Sequence, residues 1–131
     1  MIVVDASALI EVLLNTSNAA PVAARIFATG ESLHAPHVID LEIAQVLRRF
    51  VRSKDLSAQR AREALNDLLQ LPLTRYPHDL LLPRIWELRE NLTAYDAAYV
   101  VLAETLGVTL VTKDAKLSQV RGHGAHVEVF Q

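Results

Sequence analysis

Cysteine is absent from all 131 residues, so neither a disulfide framework nor a thiolate metal site is available, and a secreted scaffold held by staples is excluded. No apolar run approaches the ~20 residues of a membrane span. The amino terminus, Met1-Ile2-Val3-Val4-Asp5, meets an acid too early to serve as a signal peptide. A soluble, cytoplasmic protein is expected. A strong net charge is lacking too: at −2 the chain offers no global electrostatic argument for nucleic acid. There is no repeat, low-complexity tract or evident linker. A length of 131 residues suits one domain, expected over 1–131, and 51% hydrophobic residues suffice for one unaided core.

The pattern that is present alternates short apolar runs with amphipathic stretches. Ile2 to Val4 reads as a buried strand, followed by a tight turn and a helix carrying Leu9, Val12 and Leu13. A second helix is expected from near Pro21 to Gly30, then a short strand up to Pro36. From Val38 to about Lys54, Ile39, Ile43, Val46, Leu47 and Phe50 mark one helical stripe. Ser57 reads as the cap of a further helix ending by Pro72. Leu73 to Tyr76 reads as a strand, and His78 to Glu90 as a helix interrupted in pattern by Pro83. Ala94 to Gly107 has almost no polar face, which predicts a central buried helix, and Val108 to Thr112 is an apolar, β-branched strand. A last strand is expected near His126 to Val129. This alternation predicts an α/β fold with a parallel sheet covered on both faces.

Charge is distributed unevenly. Residues 1 to 47 hold five acids against one base, whereas residues 48 to 62 hold six bases, among them Arg48, Arg49 and Arg52, against one acid. Taken alone, the basic run reads as a solvated helical face; beside an independent nuclease signal it reads as a patch that steers phosphates.

Four acids stand out by position. Asp5 follows the first strand, where open parallel sheets bind ligands, although it equally suits the cap of the next helix with help from Ser7. Glu42 borders the buried stripe of its helix, while Asp40 points to another face. Asp96 begins the most apolar helix and shares a face with Val100 and Ala103, yet Thr93-Ala94-Tyr95-Asp96 also matches a capping box. Asp114 lies two residues after the second central strand, with Thr112 as an additional oxygen donor, and it too could cap a helix. If the four converge on one sheet edge, they repel unless a cation offsets them. All-oxygen ligation, with no histidine pair at ligand spacing, favours Mg²⁺ or Mn²⁺ over zinc. His123 and His126 read as incidental loop residues. Tyr95, Tyr99 and Trp86 could stack on bases, with packing the ordinary role of aromatic residues on such helices.

Val4-Asp5-Ala6-Ser7-Ala8-Leu9, Asp40-Leu41-Glu42, Thr93-Ala94-Tyr95-Asp96-Ala97-Ala98-Tyr99 and Val111-Thr112-Lys113-Asp114 together resemble the PIN-domain nucleases, most of all the small VapC-type toxins of toxin-antitoxin pairs. The resemblance implies a three-layer α/β/α fold with a central, mostly parallel sheet, and endonucleolytic cleavage of RNA that arrests translation with Mg²⁺ or Mn²⁺. It also implies a VapB-like antitoxin partner, and a homodimer that forms larger complexes with it. Carried over position by position, Asp5, Glu42, Asp96 and Asp114 are the acidic ligands, Ser7 and Thr112 support them, and Asn91 is a weaker contact. Arg48, Arg49, Arg52 and Lys113 are the candidates for RNA contact. The chain departs from some PIN domains in having Ala115, Lys116 and Leu117 where a further acid can follow the last aspartate, which leaves a second metal open.

Two rival readings stand beside this one. An aspartate-based phosphoryl-transfer domain would share the strand-terminal acid and Lys113, but it would need a second acid near Asp5, where the chain has Ala6, Ser7 and Ala8. A catalytically silent module of the same fold would keep metal or RNA binding without the reaction.

Overall fold

The computed structural model describes residues 1–131. Five short strands, β1 (Ile2–Val4), β2 (Leu33–Pro36), β3 (Leu73–Tyr76), β4 (Thr109–Thr112) and β5 (Val127–Val129), form one sheet in the order β3-β2-β1-β4-β5. Every pairing is parallel. Parallel neighbours need crossover connections, and seven helices supply them: α1 (Ala6–Leu13), α2 (Ala19–Ile26), α3 (Val38–Arg52), α4 (Ala58–Gln70), α5 (Leu82–Glu87), α6 (Ala94–Leu106) and α7 (Lys116–Gln119). Helix α6 packs on β1, β2 and β4 together with α5, while α1 to α4 form a second group that touches β2 and β4. The result is the expected three-layer α/β/α arrangement.

β1 and β4 lie side by side at the centre, with Val4 opposite Val111. The chain builds outward from β1 through β2 to β3, then returns to the other side of β1 to place β4 and β5. Strand order therefore reverses between β1 and β4, and at such a switch point the loops beyond the strands' carboxyl ends diverge to leave a crevice.

Helix α6 fixes one wall of that crevice. Seven successive residues, Ala97 to Ala103, are buried, which is why the helix lacks a polar face. Each fully buried Val or Leu among them contributes about 1.5–3 kcal/mol, so the first turn, carrying Asp96, is anchored. Gly107 ends the helix in the left-handed region at φ 68°, a conformation that glycine adopts without strain.

Two helices differ from expectation. Helix α2 begins at Ala19, with Pro21 inside its first turn, and stops at Ile26, four residues before Gly30. Gly30, at φ 85°, serves the turn into β2 instead. The helix expected over His78 to Glu90 is a 3-10 turn (Asp79–Leu81) followed by α5. Pro83 cannot donate the bond that a continuous helix requires there, and it occupies the first turn of a new one. No helix is long and apolar enough to cross a membrane.

Candidate active site

Asp5 leaves the end of β1 and is only 6% exposed. It caps α1, since its Oδ1 accepts from the Ala8 amide at 3.0 Å, and the same oxygen accepts from the Ser7 hydroxyl at 2.7 Å. Its Oδ2 accepts from the Thr112 hydroxyl at the end of β4. Asp5 therefore caps α1 with one oxygen and binds the end of β4 with the other.

Ser7 and Thr112 also bind the next loop. The Lys113 amide donates to Ser7 Oγ at 3.0 Å and the Asp114 amide to Thr112 Oγ1 at 2.9 Å. Lys113 reaches back to α1, its Nζ lying 2.6 Å from Glu11 Oε1. The two loops that follow the central strands are thus knitted by side chains from both ends of the sequence. Asp114 emerges from this weave and accepts from the Lys116 amide at 3.0 Å.

The remaining acids arrive from helices. Thr93 caps α6 by accepting from the Asp96 amide at 3.1 Å, but Asp96 does not return a bond to the Thr93 amide, so the capping box is half made and the carboxylate stays with the crevice. Glu42, on the first half of α3, accepts from the Tyr99 hydroxyl of α6 at 2.5 Å. Asp5, Glu42, Asp96 and Asp114 all line one cleft of about 560 Å³, together with Ser7, Gln45, Arg49, Tyr95 and Tyr99.

Three of these acids are held above the ordinary carboxylate range. Burial is the main cause for Asp5, outweighing the bonds from Thr112, Ser7 and Ala8, and the charge of Asp96 adds to it. Burial again leads for Glu42, with Asp96 and Asp5 adding repulsion against the bond from Tyr99. For Asp96 burial comes first and the charge of Asp114 second, eased by Thr93 and Lys116. Such mutual repulsion among desolvated groups is what a cation relieves.

No three acidic or histidine side chains stand close enough together to enclose an ion by themselves. Mg²⁺, however, is commonly held by one or two carboxylates, with water and substrate oxygens completing its shell. An all-oxygen donor set without sulfur or paired imidazoles has that character, so one or two of Asp5, Glu42, Asp96 and Asp114 could hold such an ion directly, the others reaching it through water.

The other residues singled out in the sequence are dispersed. Arg49 lines the cleft, whereas Arg48 and Arg52 line a separate groove between α3 and α4 with Arg62. Lys113 is engaged by Glu11 rather than free. Asn91 is exposed in the turn before α6, beside Gly122 and outside the cleft lining. Asp40 points elsewhere and pairs with Arg75 at 2.7 Å. Tyr95 is exposed on the cleft rim, Trp86 lies outside the cleft under Arg89, and Tyr99 is buried, so only Tyr95 remains placed for stacking. His123 makes only local loop contacts. Sequence reasoning missed the Tyr99 hydroxyl and Gln45; their spacing, three residues after Asp96 and three after Glu42, puts each on the same helical face as an acid.

The PIN domain family matches residues 2–123. The chain is 50% identical over 118 residues to the VapC ribonuclease Mb0985 of Mycobacterium bovis, covering 90% of this chain and 89% of that one. It is 40% identical over 129 residues to ribonuclease VapC12 of Mycobacterium tuberculosis, covering 98% of each. The crystal structure of VapBC2 from Rickettsia felis, bound to a DNA fragment from their promoter, superposes with a TM-score of 0.70 over 100% of both chains at 14% identity, a likeness of fold. With its sheet order, its cleft and these relatives in agreement, the chain belongs to the PIN-domain family, among the VapC proteins.

Proposed function

We propose that this chain is a Mg²⁺- or Mn²⁺-dependent endoribonuclease of the VapC toxin type, a single domain over 1–131. In this reading it cuts RNA in the cytoplasm, so arresting translation, and is neutralised by a VapB-like antitoxin. The observation that carries the reading is the gathering of four acids from four segments in one cleft, three of them desolvated and unneutralised. Relatives named as ribonucleases share 40% to 50% identity over nearly the whole chain, which supports the substrate class.

A divalent ion bound here would supply charge stabilisation to the transferring phosphoryl group and a lowered pKa to an attacking water. Asp5, Asp96, Asp114 and Glu42 would hold it, one or two directly and the others through water. Ser7 and Thr112 orient Asp5 by one hydroxyl on each oxygen. Glu42, raised by burial, suits general acid or base work. Arg49 is positioned to meet a phosphate and Tyr95 a base at the rim. The exposed apolar residues Leu80, Leu82 and Trp86, outside the cleft, support a second copy as partner in a homodimer. The VapBC2 pairing supports an antitoxin partner; larger complexes with it are part of the same proposal.

The test is cleavage of structured and single-stranded RNAs by the purified protein. Cutting is expected with Mg²⁺ or Mn²⁺ and is abolished by EDTA. Asp96→Asn should lower it about 10³-fold, equivalent to roughly 4 kcal/mol of barrier, with circular dichroism unchanged. RNA left intact across metals and sequences would sink the proposal in favour of a silent binding module.

A further inference from the structure

Tyr99 is the largest of the fully buried side chains, 2% exposed, one turn after Asp96 on α6. A phenol buried so deeply needs a partner for its hydroxyl. Packing alone would be served by phenylalanine, or by a hydroxyl turned to any nearby carbonyl. Instead the hydroxyl donates to Glu42 Oε1 at 2.5 Å, and the Ala6 backbone amide, next to Asp5, faces the same phenolic oxygen. The hydroxyl thus ties α6 to α3, beside the β1–α1 turn that carries Asp5.

Glu42 Oε2 makes no hydrogen bond to the protein and is not sealed from solvent. A glutamate has three rotatable bonds, and freezing them costs entropy that a charge-assisted hydrogen bond offsets. The same bond selects which of its two oxygens is spent on the protein and which is left for the cleft.

We propose that Tyr99 is a positioning residue whose hydroxyl grips one oxygen of Glu42, so that the other is presented to the cleft beside Asp5 and Asp96. The consequence for catalysis rests on the nuclease reading; the placement of Glu42 does not. Partners that orient the ligands of a metal typically change metal affinity or activity by about 10–100-fold when removed.

The experiment uses Tyr99→Phe, which keeps the packed ring, alone and combined with Glu42→Ala. In a crystal structure of Tyr99→Phe, Glu42 is expected to spread over several rotamers. Mn²⁺ affinity, followed by electron paramagnetic resonance without RNA, should weaken about tenfold. Against RNA, kcat should fall while KM changes little, and neither loss should recur when Tyr99→Phe is made in the Glu42→Ala background. Equal losses in both backgrounds, Glu42 keeping its single rotamer, or a Tyr99→Phe protein that no longer folds would each overturn the proposal. A wild-type protein that neither binds Mn²⁺ nor cuts RNA would overturn the nuclease reading alone, with the Glu42 rotamer still deciding the role of Tyr99.

Discussion

Where the strands begin, Glu31 meets Arg25 at 3.0 Å and the terminal ammonium at 3.1 Å, Glu128 meets the same guanidinium, and Glu104 accepts from Arg84 and from the Gly124 amide. Where the strands end, Asp5 and Glu42 have hydroxyls and an amide for partners, and neither they nor Asp96 makes a salt bridge. The difference reaches the protonation equilibria. Glu31 is held below the usual carboxylate range by the terminal ammonium and then by Arg25, and Glu104 is lowered too, because Arg84 and the Gly124 amide overcome the effect of burial. The three acids of the cleft are all raised. Stability favours the first arrangement, so an edge that keeps desolvated acids without salt bridges is, on the proposed nuclease reading, where the fold gives up stability for chemistry.

The strongest way to sharpen that contrast is a divalent ion. Mn²⁺ at a hundred times its Kd should stabilise the wild-type protein by about 2.7 kcal/mol, read by thermal unfolding with EDTA as control, and should stabilise Asp5→Asn far less. Equal stabilisation of both proteins would place the ion away from the cleft and break the comparison. Next in size, Arg49→Ala should weaken RNA binding about tenfold at low salt and less at high salt, whereas Arg48→Ala, in the groove between α3 and α4, should change it little. Fluorescence anisotropy at two ionic strengths separates them; identical effects would return both arginines to general solvation.

The smallest effects have opposite signs at the two edges. Glu104→Gln should cost about 1 kcal/mol or less by breaking a partly exposed pair, while Asp96→Asn should make the metal-free protein slightly more stable. Titration gives the same contrast. Asp5, Glu42 and Asp96 are raised above their unfolded values of 3.8, 4.5 and 3.8, so between the unfolded and folded values the native state holds the extra protons. Their contribution to metal-free stability therefore falls as pH rises through that window. Glu31 and Glu104 act conversely: their contribution is full above 4.5 and is lost as pH falls through their lowered values. Chemical denaturation of the two variants across this range checks both signs.

The helices and strands that bury a continuous apolar face were legible in the sequence, because period and capping residues agree there: Ser57 and Thr93 cap where expected, and Gly107 closes α6. Asp5 and Asp114 were readable because each follows a strand that the alternation fixes. Less legible were boundaries where a local signal competes with chain geometry. Gly30 looked like a helix stop but serves a turn, and Pro83 starts a helix that the apolar pattern ran straight through. Least legible were pairings between distant segments. Nothing local separates Arg49 from Arg48, although one lines the cleft and the other faces α4, and nothing in composition couples Lys113 to Glu11 or Tyr99 to Glu42. Those partnerships exist only once the sheet has brought the ends of the chain together.

Asp5 takes its bond from Thr112, 107 positions further along the polypeptide. A growing chain that has not yet produced β4 has neither the neighbour that completes β1 on that side nor Asp114, and its first aspartate lacks the clamp that orients it. The cleft therefore matures only once β4 and the loop after it have been made, and a chain interrupted before them carries the opening motif without the site it belongs to.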